Sequence, residues 1–354
     1  MSASEKMPVL ANSPSLLDVR PPPGFLTGRW RPKLESKNAL PTGPEGPGEE
    51  KGILNAFMDG IRRITQHLRR VKAVLLAQEP AGRNVNVRPT DVFIVSYPKS
   101  GNTWTRFLLG NLIYQDDPVT FANVEQRIPS LYVFSDRQLR RLPRIMKSHE
   151  CFDPRYANVI YIVRDPRDVV ISAYHHGIKM RIVKEGTPVE EFVTKFLIGA
   201  VGSRNLADPR LGTWYDNVAS WLAMSHNRRF LLLRYEDMLD NPQRELIKVA
   251  QFMGLERTPE KLDRAVELSS ANRMRELEKR QAHVWALTKN TRADKPFVRT
   301  ARSGEWRTVL PPAAVAAIEE SWGPLMEKLG YTLSEKSMET TAPRLDSMAS
   351  DARL

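Results

Sequence analysis

The chain has 354 residues, 53 of them Lys or Arg and 41 Asp or Glu, for a formal net charge of +12. A 41% hydrophobic content supports one large α/β domain with extensions, and the basic balance favours anionic partners such as phosphorylated cofactors, nucleic acid, anionic sugars or lipid headgroups. The single cysteine, Cys151, excludes an internal disulfide and a four-cysteine zinc site and favours a reducing compartment. No run of about 18 apolar residues is present to span a bilayer. The opening MSASEKMPVL lacks an apolar signal core, so a cytoplasmic location is expected.

Residues 1–50 are rich in Pro, Gly and charge and read as a loosely ordered extension. Residues 51–90 read as a basic amphipathic helix and a linker. Ile53, Phe57, Ile61, Ile64, Leu68, Val71 and Leu75 form one helical stripe, with Arg62, Arg63, Arg69, Arg70 and Lys72 on the remaining surface. Two readings stay open for 53–76: a helix packed on its own domain, or a peripheral contact with an anionic membrane. The main domain is expected over 91–333, and 334–354 is a polar, frayed tail.

Val92–Val95 is an apolar, β-branched run that reads as a buried strand. A tight polar loop, Tyr97–Asn102, follows, and then a helix over Thr103–Tyr114 with Trp104, Phe107, Leu108 and Leu112 at helical spacing. Strand, glycine loop and helix together present free backbone N–H groups to an anion. Lys99 adds a full charge, and Ser100 and Thr103 add hydroxyls. The implied ligand is a phosphate or related oxyanion; the alternative is a lysine-bearing surface turn. Lys99 precedes Gly101, unlike the common G-x-x-x-x-G-K-[ST] loop.

Arg144–His149 is a short apolar segment that delivers Lys147 and His149 to one side. Val159–Val163 is a second buried strand, broken by Arg164-Asp165-Pro166, with a helix from Arg167 to Tyr174. Arg164 and Ser172 repeat the fork-donor and hydroxyl logic of an anion site; the alternative pairs Arg164 with Asp165 or Asp168. Phe230–Arg234 is a further strand. The helix after it is capped by Asn241, has Pro242 in its first turn and ends at Gly254. A last helix spans Ala313–Leu329, with Gly323-Pro324 as a kink point, and stops at Gly330. Strands alternating with helices predict an α/β fold: a P-loop-like, doubly wound, mostly parallel sheet with helices on both faces.

Several of these strings resemble the sulfotransferases, above all the cytosolic type. Y-P-K-S-G-N-T-W at Tyr97–Trp104 resembles their 5′-phosphosulfate loop, and K-S-H at Lys147–His149 resembles their K-T-H. R-D-P-R-D-V-V-I-S-A-Y from Arg164 resembles the 3′-phosphate segment, with Arg164 and Ser172 at matching positions. L-L-L-R-Y-E-D-M resembles the stretch whose tyrosine, here Tyr235, lies near the adenosine. Leu268–Met274 resembles an adenine-side segment containing Ser269 and Met274, with Ala271 where many members carry Phe. Phe297–Trp306 resembles R-x-G-x-x-G-x-W: Arg299, Gly304 and Trp306 match, and Ala301 replaces the first glycine.

The resemblance covers roughly Asp91 to Tyr331 and implies 3′-phosphoadenosine 5′-phosphosulfate (PAPS) as co-substrate, with no metal. It implies that Lys99, Ser100, Gly101, Asn102, Thr103, Trp104, Arg164, Ser172, Tyr235, Ser269, Met274, Arg299, Thr300 and Ala301 bind it. Catalysis would be in-line transfer of the sulfuryl group to a hydroxyl or amine of a small-molecule or glycan acceptor, with no nucleic acid involved. His149 would be the base, Lys99 would neutralise the leaving phosphate, and Lys147 would stabilise the equatorial oxygens. Glu150-Cys151 stands where the family has Leu-Pro, which leaves the acceptor open, and no dimerisation string follows Trp306. Two other functions are weighed. A P-loop-type ATP-dependent small-molecule kinase would place a lysine after the glycine loop. A non-enzymatic nucleic-acid or membrane-surface binder would spread its basic residues over one face, whereas these motifs sit at strand ends.

Overall fold

The computed structural model describes residues 85–199, 210–256 and 258–334, all within the unit Glu79–Leu354. The expected extension over 1–50, the amphipathic stripe over 53–76 and the tail beyond Ser334 lie outside the described residues. Four strands form the sheet: β1 (Val92–Ser96), β2 (Ile145–Ser148), β3 (Asn158–Val163) and β4 (Phe230–Arg234). They pair in the order β2-β1-β3-β4, and every pairing is parallel. The chain leaves β1 for β2 on one side and returns to β3 on the other. That reversal opens a crevice at the carboxyl ends of β1 and β3.

The strands read as continuous apolar runs because both faces of the sheet are covered. Phe93, Val95, Val159, Tyr161 and Val163 belong to one core, and Ile94, Ile160, Ile162 and Leu233 to another, as the two-residue period of a strand requires. The first core is closed by α2 (Pro166–Lys179), α3 (Val189–Leu197), α4 (Trp214–Leu222) and α8 (Pro312–Lys328), the second by α1 (Asn102–Ile113), α5 (Pro242–Met253) and α6 (Pro259–Leu268). One further long helix, α7, spans Ala271–Gln281. This is the doubly wound architecture expected from the sequence.

The capping expectations hold at α5. Asn241 accepts a hydrogen bond from the Arg244 N–H, Pro242 opens the helix, and Gly254 ends it with φ of 65°. Other boundaries shift. The helix expected over Arg167–Tyr174 continues to Lys179, and α8 runs as one helix through Pro324. No helix is expected above at Val189–Leu197, yet Phe192, Val193 and Phe196 bury one face of it. The polar stretch before β2 also has structure. Lys147 N–H donates to the Pro129 carbonyl (2.8 Å) and Leu131 N–H to the Lys147 carbonyl (3.1 Å), so residues 129–131 lie along the free edge of β2.

The start of α2 is fixed by a buried ionic knot. Arg167, 1% exposed, donates to both oxygens of Asp165 (Nε 3.0 Å, Nη2 2.7 Å), to Glu319 Oε1 on α8 (2.5 Å) and to the Thr332 carbonyl (3.0 Å). Its guanidinium stacks 3.7 Å over Trp306. Removing the arginine leaves two carboxylates buried without their cation. Arg167→Met is expected to lower unfolding free energy by about 3–5 kcal/mol, read from the urea midpoint.

Candidate active site

The loop after β1 is shaped by its backbone. Tyr97 is part of the core rather than of a polar turn, and Lys99 adopts φ of 72°, in the left-handed region. Gly101 follows with φ of 101°, and a Cβ there would stand 2.6 Å from Tyr235 Cδ2. Glycine is therefore required both for its conformation and for the close approach. No side chain caps α1, so its first-turn N–H groups are left to a ligand. Asn102 Nδ2 donates to the Ile94 carbonyl at 3.0 Å, which ties the loop back to the strand.

These groups border a cavity of about 650 Å³. Of the expected residues, Lys99, Gly101, Asn102, Thr103, Trp104, Lys147, His149, Arg164, Ser172, Tyr235, Met274, Arg299, Thr300 and Ala301 line it. Ser100 and Ser269 do not. Ser100 is fully buried with an unpartnered Oγ. Ser269 stands behind the wall, where its Oγ accepts from Asn111 Nδ2 and its carbonyl from Trp104 Nε1, both at 3.0 Å. Its role here is to orient Trp104, which meets Tyr235 edge to face at 5.8 Å.

His149 lies one residue beyond β2. Its Nδ1–H donates to the Ser96 carbonyl at 2.8 Å, which leaves Nε2 as the free acceptor nitrogen. Its backbone N–H donates to the Tyr132 hydroxyl at 2.7 Å, and the Tyr132 ring lies parallel to the imidazole. Burial first, and then the Lys147 ammonium, hold its pKa well below the usual histidine value. Lys147 is itself lowered to about 8, by burial and then Arg106. Lys99 is lowered to about 7, by burial and then the cations Lys147, Arg164 and Arg299.

Arg164 leaves β3 under the same crevice. Its Nη1 donates to the Lys99 carbonyl (3.3 Å) and its Nη2 to the Arg302 carbonyl (3.0 Å), while Nε is buried without a partner. The guanidinium lies 4.3 Å over the Tyr235 ring. Of the carboxylates weighed for pairing, Asp168 is 4.0 Å away and Asp165 is committed to Arg167. Asp168 instead accepts the N–H groups of Gly304 (2.6 Å) and Trp306 (3.1 Å), pinning the 299–306 segment to α2. Arg299 lines the cavity, but both its terminal nitrogens are held by Glu305, at 2.7 and 2.6 Å.

Other lining residues are not legible in the sequence. Glu125, Ser130, Tyr132 and Val133 come from the stretch along β2, and Glu125 is held there by the buried Arg106 of α1. His176, Met180, Ala286, Leu287, Phe297 and Val298 also line the cavity, with Pro98, Ala173, Leu239 and Ala271. Of these, His176 had a usable signal: it falls one helical turn after Ser172, on the same face of α2. Among the described residues, no group of three His, Cys, Asp or Glu stands together to hold a metal ion, and no helix is long and apolar enough to cross a membrane.

A family profile described as Sulfotransferase domain matches residues 89–330. The chain belongs to the sulfotransferase family. Rat sulfotransferase 1E1 is 30% identical over 258 residues, covering 67% of this chain and 83% of the rat one. Human sulfotransferase 2A1 is 30% identical over 234 residues, covering 62% and 79%. The fold agrees with that of mouse SULT7A1, solved in complex with PAP, at 22% identity and a TM-score of 0.54 over 68% of this chain and 85% of that one. Retinol dehydratase, solved with androsterone and the inactive cofactor PAP, gives a TM-score of 0.59 at 20% identity over 71% and 84%. This sulfotransferase is thus a PAPS-dependent enzyme, and the kinase and non-enzymatic readings fall away.

One departure from the family pattern has a measurable energy. Ala301, standing where the motif has glycine, adopts φ of 52°. A left-handed alanine costs about 1–2 kcal/mol, and the entropy of a glycine there offsets about half. Ala301→Gly is expected to raise stability by about 0.5–1 kcal/mol, read as an upward shift of the urea midpoint.

Proposed function

We propose that this sulfotransferase moves the sulfuryl group of PAPS to a hydroxyl of a small, largely apolar molecule, with His149 as general base. The observation that carries the reading is the Ser96 carbonyl on His149 Nδ1, which fixes the tautomer with Nε2 as the basic nitrogen. The residues present fit the donor. Asn102 Oδ1 and Arg164 Nε, on residues that line the cavity, are buried and unpartnered, the α1 N-terminus is uncapped, and Lys99, Lys147 and Arg164 supply charge. The 5′ end of the donor would meet Lys99, the α1 N-terminus and Thr103. Arg164 and Ser172 would hold the 3′-phosphate, with Arg299, Thr300 and Ala301 beside them. Trp104, Tyr235 and Met274 would border the base.

PAPS supplies an activated sulfuryl group on a phosphate leaving group. The protein supplies position and charge. His149, kept neutral by burial and by Lys147, takes the proton of the acceptor hydroxyl at Nε2. Lys147 steadies charge on the oxygens in flight, and Lys99 steadies charge on the departing phosphate. Val133, Ala173, Met180, Ala286, Leu287 and Phe297 give the rest of the cavity an apolar wall, which favours an apolar skeleton over a glycan. A relative agrees in kind: the guinea pig 3-beta-hydroxysteroid sulfotransferase is 29% identical over 235 residues. We place the reaction in the cytoplasm, in keeping with the lone cysteine.

His149→Ala is expected to lower kcat by about 10²-fold or more while leaving the affinity for adenosine 3′,5′-bisphosphate (PAP) intact. Steady-state turnover and calorimetry test the pair; near-normal turnover with an intact fold removes the histidine from the mechanism. Because the base is depressed, its neutral form persists in acid, so the acid limb of kcat/KM lies below the ordinary histidine value of 6.5.

Lys99 gives a second pH test with the opposite sign. In the free enzyme it loses its proton from about pH 7 upward. An anionic phosphate beside it raises its pKa again, so PAP binding takes up a proton at slightly alkaline pH. The contribution of Lys99 to PAP affinity is therefore full below pH 7 and falls as pH rises above it. Calorimetry in buffers of different ionisation enthalpy should show net proton uptake at pH 8, and Lys99→Met should reduce it, leaving the share of Lys147, whose pKa is lowered to about 8.

A further inference from the structure

The cavity holds a second histidine that neither the donor nor the base reading uses. His176 lies on α2, one helical turn beyond Ser172, and lines the same cavity as His149. Its Nδ1 is buried and has no hydrogen-bond partner among the described residues. Its ring meets the edge of Phe297 at 5.9 Å, and Phe297 in turn carries the Lys99 ammonium 4.5 Å from its centroid. The imidazole therefore shares the cavity wall with Met180 and Phe297.

A buried imidazole nitrogen without a partner is an incomplete arrangement. Nearly all such groups are satisfied, and leaving one open is costly unless a ligand completes it. The surroundings say what kind of ligand. Burial, followed by Lys99, Lys147 and Lys179, holds the imidazole neutral, so it offers one donor and one acceptor rather than a charge. The phosphates already have cations, an open helix terminus and hydroxyls at the strand ends. Met180 and Phe297 give the wall beside His176 an apolar stretch, and there a neutral polar group reads position along an otherwise greasy ligand.

We infer that His176 is a specificity-determining residue of the acceptor site, which hydrogen-bonds a second oxygen on an apolar acceptor, distinct from the hydroxyl that is sulfated. The inference rests on the proposed transfer to a small apolar hydroxyl compound. It predicts that the enzyme separates acceptors alike in skeleton and reacting group but unlike in this second oxygen.

The test uses two matched phenol pairs with flexible tails, so that the second oxygen can find its place. They are 4-propylphenol with 4-(3-hydroxypropyl)phenol, and 4-hexylphenol with 4-(6-hydroxyhexyl)phenol. The readout is the ratio of kcat/KM for the hydroxyl-tailed member over the plain one, for the full-length wild type, His176→Phe and His176→Gln. In at least one pair the ratio should fall about tenfold in the Phe variant and be largely kept by Gln, which retains a donor and an acceptor. His176→Ala takes the place of Phe if the latter does not fold by circular dichroism. The same ratio in wild type and variant for both pairs, including no turnover of any member, overturns the assignment. So does loss of PAP binding in the variant, which would put the imidazole at the donor. PAP binding by the wild type reports separately on the donor reading, and the His149 variant on the base.

Discussion

Parallel pairing sets Lys147 beside Ile94 and Arg234 beside Val163, and so brings four strand ends to one line. Each end then delivers one group to the cavity wall: the Lys99 loop from β1, His149 from β2, Arg164 from β3 and Tyr235 from β4. Their spacing is inherited from the backbone hydrogen-bond ladder, and a slip of one residue would turn each strand's side chains to the opposite face. Covering the sheet on both faces makes such a slip costly, since Phe93 and Ile94 belong to separate cores.

The same line of strand ends concentrates like charge. Lys99 and Lys147 are each depressed by burial and by neighbouring cations, and three buried polar atoms in and beside the loop have no partner. Such a site is not built for stability. Each buried unpaired group costs about 1–3 kcal/mol, and the cations repel one another. Rigid neighbours compensate. Arg106 is closed off by Glu125 and by the carbonyls of Val124 and Ile128, and Arg167 by Asp165 and Glu319. Fully satisfied ionic clusters thus flank an unsatisfied one, an arrangement in which local interactions agree everywhere except where a ligand belongs.

Much of this was readable from the sequence, for definite reasons. The β1 and β3 strands are buried on both faces and so appear as unbroken apolar runs, and α5 announces itself through Asn241, Pro242 and Gly254. The end of α2 was hidden because His175, His176 and Lys179 break its apolar period. The burial of Lys179 rests on distant partners: its Nζ donates to the carbonyls of Arg292 (3.1 Å) and Lys295 (2.6 Å). The wall containing Glu125, Tyr132 and Val133 was hidden likewise, since its placement depends on Arg106 and on edge pairing with Lys147. Lys99, His149 and Arg164 were legible because short motifs at strand ends need no tertiary knowledge. Ser269 misled for the converse reason: it belongs to a matching segment, but Asn111 and Trp104, both far off in sequence, engage it.

The pair formed by Arg299 and Glu305 bears on how the enzyme responds to ionic strength. Gly304 and Trp306 are both held by Asp168, so Glu305 between them is anchored and cannot follow its partner. An Arg299 guanidinium that turns to an incoming phosphate gives up one anion as it gains another, and that exchange adds little net charge neutralisation. Donor affinity should then weaken with added salt less steeply than the number of cations around the cavity suggests, because screening acts on the initial pair as well as on the final one. Under the proposed donor placement, the carboxylate would make the arginine a guarded cation, one that yields only to an anion binding several groups of the site at once.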